Sequence, residues 1–143
     1  MINHVSFCAN IIKLKSSGFI PKVGLILGSG LGSFAQQVEV TSKISFEDLS
    51  GFPKAGVGGH AGQLILGYIE GTKVAILQGR AHYYEHGKAD AMSVAIRTLK
   101  EIGCESLVLT NAAGAINKNV NPGDLMLITD HINMTGVSPL FGE

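Results

Sequence analysis

The sequence has only two cysteines, no excess of either charge and no long apolar run, and each scarcity argues against a class of protein. Lys+Arg 11 balance Asp+Glu 11, so the chain has no basic field that would attract nucleic acid or an acidic membrane surface. Cys8 and Cys104 lack a CxxC spacing, which predicts free thiols rather than a disulfide or a zinc site. No apolar run approaches the about 20 residues that span a bilayer. We therefore expect a cytoplasmic protein without nucleic-acid or membrane partners.

Short apolar runs are plentiful, since hydrophobic residues make up 45% of the chain. The runs are β-branched or leucine-rich and are bounded by glycine, proline or asparagine, a pattern typical of buried strands. Five strands are predicted in this way: residues 22–28, 62–71, 72–79, 106–114 and 124–130. The stretch 39–59 is rich in glycine, serine and lysine and is expected to be a long loop.

Two helices are predicted beside these strands. The first is amphipathic, carries Cys8 and Ile12 on one side, and ends before Gly18 and Pro21. The second lies within 88–103, where apolar residues recur at helical spacing up to a closing Gly103. Because this helix separates two predicted strands, the unit implies a parallel strand pair with a crossover, and the fold class is α/β. The length of 143 residues favours one domain.

Chemically informative residues follow four of the predicted strands. In open α/β sheets, ligands bind at the carboxyl ends of the strands. We therefore expect four segments to gather at one edge of the sheet: Gly28-Ser29-Gly30, Arg80-Ala81-His82, Asn111-Ala112-Ala113-Gly114 and Asp130-His131.

The first of these segments lies in "GLILGSGLGS", a glycine-rich turn directly after a strand. In such a turn the backbone N–H groups can face an anion, and the N-terminus of a following helix adds partial positive charge. The spacing is GxGxG, so neither a dinucleotide fingerprint nor a Walker loop is matched. A phosphate site and a purely structural turn are both open, and Ser29 contributes only if its hydroxyl faces the ligand.

The densest cluster of polar and aromatic residues is "LQGRAHYYEHG". Arg80 can direct two donors at a phosphate, and His82, two positions along an extended segment, shares its face. Tyr84 continues that face and offers a ring and a hydroxyl to a sugar. The alternative is a surface Arg80 paired with Glu85, with the tyrosines at a sheet edge. Structural roles are expected for Tyr83, Glu85 and His86.

Two further segments are rich in small residues. In "LTNAAGAIN", alanines and glycine after a strand let a ligand approach the backbone, although tight packing explains them equally well. In "GGHAGQ", His60 stands among small residues, where a histidine in a loop is structural or solvent-exposed more often than functional.

Taken in order, these blocks and "PGDLMLITDHINMTGVSPL" closely resemble the trimeric purine nucleoside phosphorylase family from about residue 20 onward. The resemblance implies a mixed, largely parallel central sheet flanked by helices. It also implies phosphorolysis, in which a purine (deoxy)ribonucleoside and inorganic phosphate give a free purine and (deoxy)ribose 1-phosphate. A homotrimer is implied, as is the absence of any metal or organic cofactor.

The same resemblance assigns roles to residues of this chain. Arg80 and His82 are implied as catalytic, and Tyr84 as the ribose contact. The implied phosphate-binding residues are Ser29, His60, Arg80, Ala81, His82 and the backbone N–H of Ala112.

Members of that family are about twice this length, and the residues that hold the purine lie in their second half. We therefore expect residues 1–143 to form the N-terminal portion of a phosphorylase domain, either as a truncated or split gene product or as a piece of a longer chain. Little or no activity is expected of the 143 residues alone, and association is expected through exposed strand edges. Two alternatives are a non-catalytic phosphate-binding fragment that needs a separate C-terminal half, and another kind of nucleotide-binding α/β domain.

Overall fold

A five-stranded mixed sheet forms the centre of the computed structural model, which describes residues 3–53, 62–83 and 87–140. The strands are β1 (Val23–Ile26), β2 (Glu39–Ser45), β3 (Gln63–Ile69), β4 (Thr72–Gln78) and β5 (Ser106–Leu109). Their order across the sheet is β2-β3-β4-β1-β5. Strand β1 is parallel to both β4 and β5, whereas β3 is antiparallel to both β2 and β4. The predicted α/β class with a mixed sheet is confirmed.

Both predicted helices are present. Helix α1 spans His4–Lys15, and the Asn3 side chain caps it by accepting from the backbone N–H groups of its first turn. Helix α2 spans Ser93–Glu101 and is shorter than the predicted stretch 88–103. Gly103 follows α2 with a φ of 115°, as expected for a residue that ends a helix. No helix in the three described ranges is long and apolar enough to cross a membrane.

The strands β3 and β4 lie within the two predicted runs, 62–71 and 72–79, and form a hairpin. Ile69 pairs with Thr72, so only Glu70 and Gly71 form the turn. Both turn residues have positive φ, 48° and 76°, the arrangement that matches the right-handed twist of the flanking strands. Glycine tolerates that conformation at no steric cost, and this explains the local sequence "EGT".

The core has two layers, one on each face of the sheet. Helices α1 and α2 cover the first face, where Ile12 and Leu99 pack with Leu64, Leu66 and Leu77. The second face is covered by a short 3-10 helix, Gly32–Gln37, and buries Ile65 and Ile76 together with the flanking Val74. Successive residues of β3 and β4 alternate between the two layers, as the two-residue period of a strand requires.

Two sequence predictions about strands are wrong. Residues 39–45 form β2 rather than part of a long loop, and Phe46–Asp48 is a 3-10 helix. The polar composition of residues 39–45 led to the wrong prediction because β2 is an edge strand whose side chains are mostly exposed. Conversely, 124–130 is not a strand: Leu125 and Leu127 are 98% and 88% exposed. An apolar run becomes a strand only when a neighbouring strand pairs with it, and none does so within the described residues.

The predicted parallel pairing within residues 72–110 is correct in direction but not in adjacency. Strands β4 and β5 run parallel, yet β1 lies between them and pairs with both. This insertion matters for function because it brings three carboxyl ends, those of β4, β1 and β5, side by side.

The two cysteines are free, as predicted. Burial raises the pKa of the Cys8 thiol above its ordinary value and raises the pKa of the Cys104 thiol to about 11. Since the thiolate is the reactive form, both thiols are poor nucleophiles at neutral pH.

Alkylation of Cys104 tests this burial. A shift from 9.0 to about 11 lowers the thiolate fraction at pH 8 about a hundredfold, so iodoacetamide should modify Cys104 in the folded chain about a hundredfold more slowly than in the unfolded chain. The native rate should keep rising as the pH approaches 11. Peptide mapping by mass spectrometry, with the guanidinium-unfolded chain as control, measures both rates. Equal rates in the two states would contradict the burial of this thiol.

Candidate active site

Arg80 lies just beyond β4 and makes contact with the chain just beyond β5. Its Nη1 donates to the backbone oxygen of Thr110 at 3.0 Å, and the Arg80 side chain is only partly buried. Because β4 and β5 flank β1 in parallel, their carboxyl ends reach the same edge of the sheet. The predicted convergence of strand ends at this edge is therefore present for three of the four segments.

Thr110 joins β5 to the glycine-rich turn after β1. Its hydroxyl accepts from the Gly28 N–H at 2.8 Å and donates to the Ile26 oxygen at 3.1 Å. The backbones approach so closely that a Cβ on Gly28 would overlap the Thr110 oxygen and lie 2.9 Å from the Cα of Asn111. Glycine is thus required here by the neighbouring backbone.

The turn itself runs from Gly28 to Leu31. The Leu31 N–H donates to the Gly28 oxygen at 3.2 Å, and Gly30 has a φ of 84°, as the third residue of a type II turn requires. Ser29 is exposed within this turn. The helix expected to follow is only the six-residue 3-10 helix Gly32–Gln37, so the predicted contribution of an α-helix N-terminus is wrong.

Two glutamines that the sequence analysis did not single out support the turn. Gln78 is the last residue of β4, and its Nε2 donates to the Gly32 oxygen at 3.3 Å. Its Oε1 accepts from the Nε2 of Gln63 at 2.6 Å, across the β3–β4 hairpin. The available signal was the hairpin register, which places Gln63 opposite Gln78 directly before the candidate site.

Arg80 and His82, which were predicted to share a face, contact each other. The Arg80 Nε donates to the His82 Nε2 at 3.4 Å. Between them, the Ala81 N–H donates to the Met92 sulfur at 3.4 Å. Tyr83 is 50% exposed.

The remaining candidate residues show no described contact with Arg80 or Thr110, or lie outside the described residues. Ala112 follows Thr110 in an irregular, exposed stretch. The expected position of Asp130 and His131 at a strand end is wrong, because 124–130 is not a strand and both residues are exposed. The predictions for His60, Tyr84, Glu85 and His86 fall outside the described residues. Among those that are described, no group of three or more His, Cys, Asp or Glu could hold a metal ion.

Comparison with known proteins identifies the family. The sequence model of the phosphorylase superfamily matches residues 22–143 of this chain. Purine nucleoside phosphorylase 1 of Geobacillus stearothermophilus is 50% identical over 122 residues, which cover 85% of this chain and 44% of that protein. The corresponding protein of Bacillus subtilis is also 50% identical over 122 residues, covering 85% of this chain and 45% of the relative.

Solved structures agree with this. The purine nucleoside phosphorylase of Schistosoma mansoni in complex with acetate has a TM-score of 0.76 at 38% identity, covering 86% of this chain and 45% of that one. Its isoform 2, in complex with cytosine and ribose-1-phosphate, has a TM-score of 0.75 at 38% identity, covering 85% and 42%. This chain spans less than half the length of these relatives. From the matched residues and the shared fold, the chain belongs to the phosphorylase superfamily and is similar to its purine nucleoside phosphorylases.

Proposed function

We propose that this chain provides the phosphate-binding part of a purine nucleoside phosphorylase. The reaction is cleavage of the N-glycosidic bond of a purine (deoxy)ribonucleoside by inorganic phosphate. The observation that carries the proposal is the position of Arg80, held at 3.0 Å by the Thr110 oxygen where the ends of β4, β1 and β5 meet. The close similarity to purine nucleoside phosphorylases supports it.

Arg80 suits an anion in both charge and geometry. A guanidinium is permanently charged and has five N–H donors. In the described part of the chain, the bonds to Thr110 and His82 use two of them, which leaves three for a phosphate. We assign the remaining phosphate contacts to Ser29, His60, Ala81, His82 and the backbone N–H of Ala112, and the ribose contact to Tyr84.

The chemistry explains why such a site catalyses the reaction. As the bond from C1′ to the purine nitrogen breaks, its electron pair goes to the base and positive charge builds on the ribose, as in glycoside hydrolysis. A phosphate oxygen then forms the new bond to C1′. A phosphate fixed by Arg80 and His82 both stabilises that cation and is positioned as nucleophile. This reaction needs phosphate as co-substrate and, in our proposal, neither a metal nor an organic cofactor.

Complete turnover needs further groups that hold the purine, and we propose that they come from sequence matching the remainder of the relatives. Exposed apolar side chains support association with such a segment or with further copies of the chain, in a homo-oligomer such as a trimer. On β5, Val108 is 46% and Leu109 63% exposed, and further along Ile116 is fully exposed. The free thiols support a reducing, cytoplasmic environment.

A chimera tests the proposed function. Residues 22–143 of this chain replace the 122-residue matching region of the Bacillus subtilis relative. We expect the chimera to convert inosine and phosphate to hypoxanthine, measured by a coupled absorbance assay. The 143-residue chain alone should be at least about a hundredfold slower, because the groups that we propose to stabilise the leaving base belong to the remainder of the relatives.

Each result has a distinct meaning. A folded chimera without phosphorolysis would contradict the proposed function and favour a non-catalytic phosphate-binding fragment. Turnover by the isolated chain at the rate of the chimera would show that the groups needed for the base lie within residues 1–143.

A further inference from the structure

Thr110 occupies a central position in the candidate site although it is not among the proposed phosphate contacts. It lies one residue beyond β5 and bonds both to the turn after β1 and to Arg80 after β4. We propose that Thr110 is a positioning residue, whose hydroxyl keeps its own carbonyl available to orient Arg80 toward the anion. This inference rests on the proposed function, since the anion is the phosphate of that reaction.

The regular hydrogen-bond ladder between β1 and β5 ends at Thr110. The Thr110 N–H donates to the Ile26 oxygen at 3.1 Å, as in a parallel ladder. If the ladder continued, the N–H of Gly28 would donate to the Thr110 oxygen. Instead this N–H donates to the Thr110 hydroxyl at 2.8 Å. The hydroxyl therefore ends the pairing of the two strands at this point.

The carbonyl released in this way holds Arg80. The Thr110 oxygen accepts from Nη1 at 3.0 Å, which fixes one side of the guanidinium. Fixing that side reduces the rotamer entropy that Arg80 loses when an anion binds to its other donors. The same hydroxyl anchors the start of the turn that carries Ser29. One side chain thus sets the relative positions of two proposed phosphate contacts.

Threonine satisfies both requirements of this position. Its hydroxyl donates to the Ile26 oxygen and accepts from Gly28 at the same time, which a valine of similar shape cannot do. In a Thr110→Val chain, the Gly28 N–H loses its hydroxyl acceptor and, as in a continued parallel ladder, would compete with Arg80 for the backbone oxygen of residue 110. The fold can then persist while the orientation of Arg80 is lost.

Phosphate titrations of the 143-residue chain test this inference. The affinity is measured from the phosphate-dependent rise in unfolding temperature at constant ionic strength. We expect Thr110→Val to weaken phosphate binding about tenfold and Thr110→Ser, which keeps the hydroxyl, to remain within about twofold of the wild type. The matched control is Thr98→Val, because Thr98 is buried and, among the described residues, its hydroxyl bonds only to the Val94 oxygen within α2.

The outcomes separate the two proposals. Absence of a phosphate response in the wild type would overturn the proposed function and, with it, this inference. A normal wild-type response with equal affinity in Thr110→Val, or with equal weakening in Thr110→Ser, would overturn the inference alone. If Thr110→Val does not fold, amide hydrogen exchange of the wild type decides: Gly28 should be protected, and exchange as rapid as that of Ser29 would contradict the proposal.

Discussion

Replacing Gly28 by alanine is expected to lower the free energy of unfolding by about 3 kcal/mol. The added Cβ would overlap the Thr110 oxygen and lie 3.0 Å from the Thr110 carbonyl carbon and 2.9 Å from the Cα of Asn111. All three are backbone atoms, so no side-chain rotation can relieve the overlap. The ends of β1 and β5 would have to separate, which would also break the hydrogen bond between Gly28 and the Thr110 hydroxyl.

The matched control is Gly114→Ala. A Cβ on Gly114 would meet nothing within 4 Å, and its φ lies outside the left-handed region. Urea unfolding followed by circular dichroism measures both variants. Gly114→Ala should leave the midpoint within experimental error, whereas Gly28→Ala should lower it strongly. Equal midpoints for the two variants would show that the described contact between β1 and β5 is wrong.

This role of Gly28 differs from the one that its sequence context indicated. The glycine-rich turn after the first strand predicted backbone N–H groups that face an anion, with a purely structural turn as the alternative. At Gly28 the close neighbour is instead the protein's own backbone, at Thr110 and Asn111 just beyond β5. Only Gly30, with its positive φ, is required by the turn itself. Sequence reasoning recognised that glycine was needed but could not identify the neighbour, because β5 is about 80 residues away in the chain.

Elements specified by local sequence were predicted well. The apolar runs 62–71 and 72–79 were predicted to be strands, and β3 and β4 form within them. Strands whose formation depends on a neighbouring strand were predicted poorly. The polar edge strand β2 pairs with β3 and was predicted to be a loop, whereas the apolar run 124–130 has no strand beside it in the described residues and was predicted to be a strand.

In the candidate site, too, contacts between residues close in sequence were predicted, whereas contacts between distant segments were not. The contact between Arg80 and His82 follows from their separation of two residues, a local property. The roles of Thr110 and Gln78 depend on the sheet order, in which β1 lies between β4 and β5, and no periodicity in the sequence encodes that order. Such residues are found only when the strands have been placed.

Arg80→Ala is expected to abolish phosphate binding by the 143-residue chain. The substitution removes the permanent charge and every guanidinium donor, and it leaves the Thr110 oxygen without its bond from Nη1. Arg80→Lys keeps a charge but loses the planar fork, so we expect at least about tenfold weaker binding. Lys100→Ala, which removes an exposed positive charge on α2, controls for the change in net charge and should bind phosphate as the wild type does.

Thermal unfolding over a phosphate series, with sodium chloride holding the ionic strength constant, tests the phosphate site most directly. At a phosphate concentration 100 times the dissociation constant, the wild type should gain about 2.7 kcal/mol, a rise of roughly 8 °C for a domain of this size. The unfolding temperature of Arg80→Ala should not respond to phosphate. A wild type without a rise, or an equal rise in Arg80→Ala, would contradict the assignment of Arg80 and of the strand ends around it to phosphate.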